Sequence, residues 1–372
     1  MRVNKRLIFL LVAFFFSSFF FAKSVFFPEK ADLTVVGRVD MSDGIGKTSM
    51  ELLQSLKPHL KVNFLPVRKL SKKRQKTMPR NLVKLVCNGP SQVGKVILFE
   101  EIISLESYKP YKILDEIQDK SAMRIAYSMF ESSKIPEEWV RVLNAYFDAV
   151  AVPDRFLVEV YENSGVNIPI FELPLAVDFR PFLREPLKKS ANKPMVFANF
   201  SVCIDRKNHL QLIRAFAQAF GNSSDVLLKI NAKSSESGLN EKIKEEIRSL
   251  NLTNVEFTEQ KLEAADYLKL FKTVDCYVSL SKGEGFSIQP REAMALGIPT
   301  IVTNNTAQST ICKSQLVRAI ESPIAVPACY HWTARTHGVN YDCYLEEAAL
   351  ALKDIFYHYP NYLESKEKIV EK

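Results

Sequence analysis

The fold is decided by one stretch, Asp275-Cys-Tyr-Val-Ser-Leu-Ser-Lys-Gly-Glu-Gly-Phe-Ser-Ile-Gln-Pro-Arg-Glu-Ala-Met-Ala-Leu-Gly-Ile-Pro-Thr300. Its apolar start, Cys276 to Leu280, predicts a buried strand, and the glycines that follow predict a loop. Pro290 suits the first turn of a helix and Gly297 suits its C-terminal cap. A second strand is predicted from Thr300 to Val302. Strand, loop, helix and strand in this order are typical of an open α/β sheet.

Two carboxylates bracket the loop and the start of this helix, Glu284 and Glu292, with seven residues between them. Open α/β sheets bind ligands outside the carboxyl ends of their strands. Backbone N–H groups at a helix start suit a phosphate, and carboxylates accept hydrogen bonds from hydroxyls. A nucleotide linked to a sugar carries both groups.

The same alternation extends upstream through the second half of the chain. A strand is predicted at Met195 to Phe200, a helix at Asn208 to Phe220, and strands at Val226 to Ile230 and Val255 to Phe257. An amphipathic helix is predicted at Leu345 to Tyr357.

A similar unit opens the first half of the chain. A strand at Asp32 to Gly37 is followed by a glycine loop and by a helix at Lys47 to Leu56. Gly44 and Gly46 in that loop are predicted to face a ligand cleft, with a plain turn as the alternative. Further strands are predicted at Lys61 to Leu65, Leu82 to Cys87, Lys95 to Phe99, Arg124 to Met129 and Ala149 to Val152.

These patterns predict an α/β protein with two Rossmann-like, doubly wound domains facing a cleft. The first domain is assigned to residues 31–180. A proline-rich and basic linker follows at 181–194, then a second domain at 195–345 and C-terminal helices at 346–372. A length of 372 residues suits two domains of ordinary size.

Composition argues against a general nucleic-acid binder. The formal charge is +8, and eight basic residues without an acid lie between Arg68 and Lys84, so the remainder of the chain is neutral by count. This basic segment is either a solvated loop or a contact for anionic lipid or a phosphorylated acceptor. The six cysteines show no zinc-binding spacing, and no metal is expected.

Residues 1–30 are predicted to be a signal anchor or a signal peptide. Three basic residues in the first six precede an apolar and serine run from Leu7 to Ala22. The run lacks a convincing cleavage site, which favours a retained single-pass anchor. The basic start favours a cytoplasmic N-terminus, and the protein is expected to be membrane-associated.

Several stretches together resemble the retaining glycosyltransferases of the GT-B fold, group 1 (family 4). Glu284-Gly-Phe and Glu292-Ala-Met-Ala-Leu-Gly-Ile-Pro resemble that family's Glu-x7-Glu signature. The run Arg206-Lys-Asn-His-Leu-Gln-Leu-Ile-Arg-Ala-Phe216 resembles the segment that opens its donor-binding domain. Residues 130–139, 148–153 and 173–178 resemble the end of its acceptor-side domain.

The resemblance implies that residues 31–180 form the acceptor-side domain and that residues 195–345 form the nucleotide-sugar-binding domain. It also implies roles for particular residues. Glu284 is the expected catalytic residue, and it contacts the transferred sugar and the diphosphate together with the backbone of the residues that follow it. Glu292 accepts hydrogen bonds from the ribose, and Lys207 pairs with the diphosphate. The expected donor-binding set is Arg206, Lys207, Gly285, Phe286, Ser287 and Glu292, and the expected acceptor-side set is Gly44, Gly46 and Glu131.

The chain also departs from the family pattern. Ser201 stands where many members have an arginine six residues before the lysine, and Arg206 either substitutes for it or points to solvent. The histidine of the acceptor-side domain is missing, since His59 is the only one between the predicted anchor and linker. Glu131 is either a cleft residue or an ordinary carboxylate at a helix start.

The resulting prediction is a glycosyltransferase that moves a hexose from a nucleoside-diphosphate sugar to a hydroxyl of a glycan or lipid-linked acceptor, without a cofactor or a metal. Two alternatives stay open. One is a catalytically inactive GT-B module that binds glycan or nucleotide, and the other is a GT-B nucleotide-sugar epimerase.

Overall fold

The computed structural model describes most of the chain after the apolar N-terminal run. The residues described are 30–39, 44–68, 70–71, 75–76, 78–87, 89–101, 110–117, 122–330 and 335–364. The predicted anchor and part of the basic segment lie outside these ranges. Within them, every helix is too short or too polar to cross a membrane.

The chain divides into two compact units. The first unit comprises Met1–Glu101 and Pro110–Ile125, and the second comprises Ile102–Lys109 and Ala126–Lys372. The elements of the first unit are, in order, β1 (Leu33–Gly37), α1 (Gly44–Leu56), β2 (Val62–Pro66), α2 (Arg80–Val83), β3 (Val96–Glu100) and the start of β4 (Met123–Tyr127). Two 3-10 helices, Pro90–Gln92 and Pro110–Glu116, complete it.

The first unit is a parallel sheet with strand order β2-β1-β3-β4. Val35 in β1 is in register with Phe64 on one side and with Leu98 on the other. Met50 and Leu53 of α1 are buried in the same apolar cluster as Val35 and Phe64. A strand that is almost entirely buried and paired on both sides is typical of a sheet covered by helices.

Two predictions for this unit are wrong. Gly44 and Gly46 do not lie in a loop, because α1 already begins at Gly44. The apolar run Leu82 to Cys87 is not a strand: Leu82 is buried in the short helix α2, and Val86 forms only an isolated bridge to Phe64. Short apolar runs fit a buried helix turn as well as a strand, so their pattern alone does not decide.

The second unit contains the remaining elements. In chain order they are α3 (Glu137–Tyr146), β5 (Ala149–Val152), α4 (Arg155–Ser164), β6 (Ile170–Glu172), α5 (Arg180–Leu183), β7 (Met195–Asn199), α6 (His209–Phe220), β8 (Val226–Asn231), α7 (Leu239–Ser249), β9 (Val255–Thr258), α8 (Ala264–Lys272), β10 (Cys276–Ser279), α9 (Ile288–Ala295), β11 (Thr300–Asn304), α10 (Gln308–Cys312), β12 (Arg318–Glu321), β13 (Ile324–Tyr330), β14 (Arg335–Asp342), α11 (Leu345–Tyr357) and α12 (Tyr359–Glu364).

The main sheet of the second unit has strand order β12-β11-β10-β7-β8-β9, with all neighbouring strands parallel. The chain leaves β7 toward β8 on one side and later returns to β10 on the other. The sheet order therefore reverses between β7 and β10, which makes this edge a topological switch point. The unit also holds the end of β4, followed by β5 and β6 in the order β4-β5-β6.

Buried apolar residues cover both faces of this main sheet. One cluster joins Phe197, Leu228 and Val278 of the strands to Phe216 of α6 and Leu352 of α11. A second cluster contains Ala198, Phe271 and Tyr277. Helices therefore pack on both faces of the sheet through these apolar clusters. The polar loops lie at the carboxyl ends of its strands.

An antiparallel ribbon follows the sheet and was not predicted from the sequence. Strands β13 and β14 pair from Ile324 with Asp342 to Tyr330 with Arg335, with an irregularity between Pro327 and Cys329. Tyr341 donates its N–H to the carbonyl of Lys282 across 2.7 Å, so the ribbon contacts the loop after β10.

The prediction of two parallel α/β sheets is confirmed. Within the stretch from Asp275 to Thr300 the helix begins at Ile288, with Pro290 in its first turn. Gly297, with φ of +64°, follows the helix end as a left-handed cap. The predicted domain boundaries, including the linker at 181–194, stay predictions.

Candidate active site

The switch point of the second sheet brings two distant segments together. The segment after β7 carries Arg206 and Lys207 in a 3-10 helix, Asp205–Lys207. The loop after β10 carries Glu284. Because β7 and β10 are adjacent parallel strands, their carboxyl ends open at the same edge. Cationic side chains from one loop therefore meet a carboxylate from the other.

Glu284 is bound by both cations. The Nζ of Lys207 donates to its Oε1 across 2.5 Å, and the Nη1 of Arg206 lies 3.1 Å from its Oε2. Arg206 also donates to the carbonyl of Gly283 across 2.7 Å and to the Oε1 of Glu131 across 3.0 Å. Two positive and two negative side chains thus form one partly desolvated, balanced group.

The charges in this group shift the pKa values of its members. Burial alone would raise the pKa of Glu284, but the charges of Lys207 and Arg206 outweigh it and lower the pKa to about 2. Burial would lower the pKa of Arg206, yet Glu131 and Glu284 hold it above its ordinary value. Glu284 is therefore ionised throughout the neutral range and is a weak proton acceptor.

Glu131 is held in this group by a close backbone approach. A Cβ on Gly283 would lie 2.0 Å from the carbonyl oxygen of Glu131, a distance that no larger residue can tolerate. The segment after β4 and the loop after β10 are thus in direct backbone contact. The prediction that Glu131 lies in the acceptor-side part of a cleft stays a prediction.

The ribbon β13–β14 supports the segment that carries Glu131. Ser132 donates to the carbonyl of His337 across 2.6 Å, and Val339 donates its N–H to the Oγ of Ser133 across 2.9 Å. The ring of Tyr330 packs on Phe130, with centroids 4.8 Å apart. Sequence reasoning missed this support because no motif marks the ribbon.

The loop between Glu284 and α9 presents backbone N–H groups. The N–H groups of Gly285, Phe286 and Ser287 have no acceptor among the described residues. The backbone of Ser287 has φ of +65°, a conformation that residues other than glycine rarely adopt. Gln308 donates a hydrogen bond to the Oγ of Ser287 across 3.1 Å. Such a turn at a helix start is suited to an anion.

Glu292 lies on α9, one helix turn into the element, and is buried. The hydroxyl of Tyr267, from α8, donates to its Oε2 across 2.8 Å. No motif pointed to Tyr267 in the sequence. A single tyrosine on an amphipathic helix carries no spacing signal.

The position of the missing family arginine holds no cation. Ser201 donates from its Oγ to the Oδ1 of Asn199 across 2.6 Å and lies 3.2 Å from the Nε2 of His209. Burial lowers the pKa of His209 to about 4, so its ring is neutral at pH 7. Arg206 does not point to solvent, because its side chain is only 16% exposed and pairs with Glu131 and Glu284.

The first unit carries the other predicted acceptor-side residues. Gly44 and Gly46 lie in the first turn of α1. Glu100, at the carboxyl end of β3, was not singled out from the sequence. Burial raises its pKa to about 8. The predicted acceptor-side roles of Gly44 and Gly46 stay predictions.

Residues 180–320 match the family model described as "Glycosyl transferases group 1". A protein of Sulfolobus islandicus rod-shaped virus 1, "Uncharacterized protein 356", is 20% identical over 237 residues, which are 58% of this chain and 63% of that protein. This chain thus spans less than two thirds of that relative's length.

Solved structures share the fold at low sequence identity. HepE from Anabaena, in complex with UDP and glucose, superposes with a TM-score of 0.63 at 12% identity, over 91% of this chain and 94% of that one. A glycosyltransferase from Rickettsia africae superposes with a TM-score of 0.63 at 15% identity, over 92% of this chain and 93% of that one. A TarM variant from S. aureus gives 0.57 at 14% identity, over 77% of this chain and 53% of that one.

These comparisons agree with the family predicted from the Glu284 to Glu292 stretch. The matched region includes Lys207, Glu284 and Glu292 and most of the second sheet. Residues 180–320 are thus similar to the glycosyl transferases group 1, and the chain shares the fold of the solved structures.

Proposed function

We propose that this protein is a retaining glycosyltransferase that moves a hexose from a nucleoside-diphosphate sugar to a hydroxyl of a glycan or lipid-linked acceptor. Lys207, Arg206 and Glu284 form its reaction centre, and Glu292 binds the ribose of the donor. No cofactor or metal takes part.

The observation that carries the proposal is the composition of the switch-point edge. The loop after β10 and the start of α9 carry two buried carboxylates and three backbone N–H groups that have no acceptor among the residues described. A buried lysine from the segment after β7, Lys207, contacts the first of these carboxylates. The cation and the N–H groups suit a diphosphate, and the carboxylates suit the hydroxyls of a sugar and a ribose. A nucleoside-diphosphate sugar offers these groups in one molecule.

The charge state of Glu284 bears on the mechanism. The acceptor oxygen attacks the anomeric carbon, the bond from that carbon to the phosphate oxygen breaks, and the acceptor proton must be taken up. Glu284, with a pKa of about 2, is a poor base at neutral pH. The departing phosphate gains negative charge and accepts the proton on the same face of the sugar, which retains the anomeric configuration. Lys207 stabilises that charge as it develops.

The named neighbours support the choice of substrates. The Anabaena protein was solved with UDP and glucose, and the S. aureus TarM variant with UDP and alpha-GlcNAc-glycerol. Both names pair a uridine nucleotide with a hexose or hexosamine. We extend this chemistry to the present chain as a nucleoside-diphosphate hexose donor with a hydroxyl acceptor.

The test is product formation with defined donors. The full chain is incubated with UDP-, GDP- and ADP-hexoses and a panel of glycan and glycolipid acceptors, and products are identified by mass spectrometry and by the anomeric NMR coupling. We expect a transferred hexose whose anomeric configuration equals that of the donor. An inverted product would refute the retaining mechanism, and isomerised donor formed without acceptor would favour the epimerase.

An inactive binding module is the second candidate. Ser201 in place of the family arginine removes one cation from the donor site, and Lys207 is already paired with Glu284. Nucleotide binding without transfer to any acceptor in the panel would favour this candidate over the enzyme.

We further propose that residues 1–30 hold the protein at a membrane as a single-pass anchor with a cytoplasmic N-terminus. The support is the basic start and the apolar run from Leu7 to Ala22. Flotation of the full chain with lipid vesicles, compared with a chain lacking residues 1–30, tests it. Equal flotation of both would contradict the proposal.

A further inference from the structure

The hydrogen bond between Tyr267 and Glu292 joins two elements of the second sheet. Tyr267 lies near the start of α8 and Glu292 lies on α9, and the hydroxyl and the Oε2 are 2.8 Å apart. Burial, together with the neighbouring carboxylate, raises the pKa of Tyr267. The tyrosine is therefore protonated, and its hydroxyl donates to the carboxylate.

Aromatic neighbours fix the ring of Tyr267. Its centroid lies 5.0 Å from that of Phe271, in an edge-to-face arrangement, and 6.4 Å from that of Phe200. Phe271 in turn stacks on Tyr277, with centroids 5.5 Å apart. Aromatic pairs with this geometry are favourable beyond the area that they bury. The cluster thus limits where the hydroxyl of Tyr267 can point.

A carboxylate turns freely about its last bond unless a partner fixes it. A donor on Oε2 sets the plane of the Glu292 carboxylate and occupies one of its acceptor positions. A vicinal diol needs such a fixed plane, because both hydroxyls must reach the carboxylate together. The side chain of Tyr267 is half-buried.

We propose that Tyr267 is a positioning residue that holds the carboxylate of Glu292 for the 2′- and 3′-hydroxyls of the donor ribose, so that loss of the tyrosine hydroxyl weakens recognition of the 2′-hydroxyl. The inference rests on the proposed function and adds to it the residue that positions the ribose contact. Tyr267 itself does not touch the reacting atoms.

The experiment measures dissociation constants by calorimetry for three matched pairs: UDP with 2′-deoxy-UDP, GDP with 2′-deoxy-GDP, and ADP with 2′-deoxy-ADP. One hydrogen bond to a charged group corresponds to about a tenfold difference in affinity. We expect wild type to bind one ribonucleotide about tenfold more tightly than its deoxy partner. In Tyr267→Phe the affinity for the ribonucleotide should fall to near that for the deoxy nucleotide, while the affinity for the deoxy nucleotide should not change.

Tyr277→Phe is the matched control. It removes a buried hydroxyl from the same aromatic cluster, one that accepts a hydrogen bond from the N–H of Phe200. We expect this variant to keep the preference for the ribonucleotide. Glu292→Gln provides a second disruption of the same contact and should also abolish the preference. Thermal unfolding of each variant verifies that it is folded.

The possible outcomes separate the two proposals. If wild type binds none of the six nucleotides, the proposed function fails, and this inference fails with it. If wild type binds a ribonucleotide but binds its deoxy partner equally well, only the present inference is overturned. The same holds if Tyr267→Phe keeps the preference, or if it weakens both nucleotides of a pair equally, which is the pattern of a purely structural residue.

Discussion

Lys207 donates to Glu284 across 2.5 Å, although 77 residues separate them in the chain. The contact exists because β7 and β10 are adjacent parallel strands and their following loops share one edge. A lysine that is buried beside one carboxylate can also form an ion pair with an anion of higher charge. A donor diphosphate would compete with Glu284 for the same ammonium group.

Replacing Lys207 should weaken binding of the donor nucleotide. In Lys207→Met we expect the dissociation constant for the nucleoside diphosphate to rise at least about tenfold, because a charge-assisted contact is lost. Calorimetric titration measures it. Lys244→Met, which breaks an exposed pair with Glu241 on α7, should leave the constant unchanged. Equal effects of the two substitutions would contradict the assignment of Lys207.

The lowered pKa of Glu284 should appear in the pH dependence of stability. The pKa is about 2 in the folded protein against an ordinary value of 4.5. A lowered pKa contributes stability that is present above about pH 4.5 and is lost as the pH falls toward 2. Urea unfolding at pH 7, 5, 4 and 3 should therefore show Glu284→Gln less stable than wild type at pH 7, by about 3 kcal/mol. The gap should narrow below pH 4.5, and a gap independent of pH would contradict the pairing.

The raised pKa of Glu100 should give the opposite trend. Its pKa is about 8 against an ordinary 4.5, with burial as the main cause. Stability from a raised pKa is fully present below about pH 4.5 and is lost as the pH rises to 8. Between pH 4.5 and 8, the unfolding free energy of Glu100→Gln relative to that of wild type should rise by about 1.4 kcal/mol for each pH unit. Denaturant unfolding from pH 5 to 8 measures it, and a constant difference between the two proteins would refute the shift.

The close approach at Gly283 should tolerate no side chain. A Cβ there would lie 2.0 Å from the carbonyl oxygen of Glu131, so the backbone must move. We expect Gly283→Ala to cost about 1–3 kcal/mol of unfolding free energy and to displace Glu131 from Arg206. Thermal and urea unfolding measure the cost. Gly89→Ala, at a position with open space, should change stability by less than about 0.5 kcal/mol.

Local pattern was sufficient for five of the six strands of the main sheet in the second unit and for the stretch from Asp275 to Thr300. The edge strand β12, Arg318–Glu321, was not predicted, because its two apolar residues lie between two charged ones and do not form an apolar run. In the stretch from Asp275 to Thr300, Pro290 and Gly297 mark the helix start and end, so neighbouring residues carry the signal. The same local signals placed Lys207 and Glu284 after strands. Predicting their direct contact also requires knowing that β7 and β10 are neighbouring strands, and no single segment of the sequence shows that.

The ribbon β13–β14 could not be predicted in the same way. Pro327 lies within β13, and proline normally argues against a strand because it lacks an N–H donor. Pairing is possible because the ribbon is only two strands wide and its register is irregular between Pro327 and Cys329. The support that it gives to Glu131, and the contact of Tyr267 with Glu292, arise only from tertiary packing.

The central claim is that the loop after β10 and the start of α9 bind a nucleoside-diphosphate sugar. Its most direct test is thermal unfolding of residues 31–372 with UDP, GDP, ADP and their sugars, for wild type, Glu292→Ala and Lys207→Ala. Ligand at 100 times its dissociation constant stabilises by about 2.7 kcal/mol, enough to raise the midpoint by several degrees. The account predicts that one nucleotide series shifts wild type and neither variant. A series that shifts all three proteins equally, or none that shifts wild type, would contradict it.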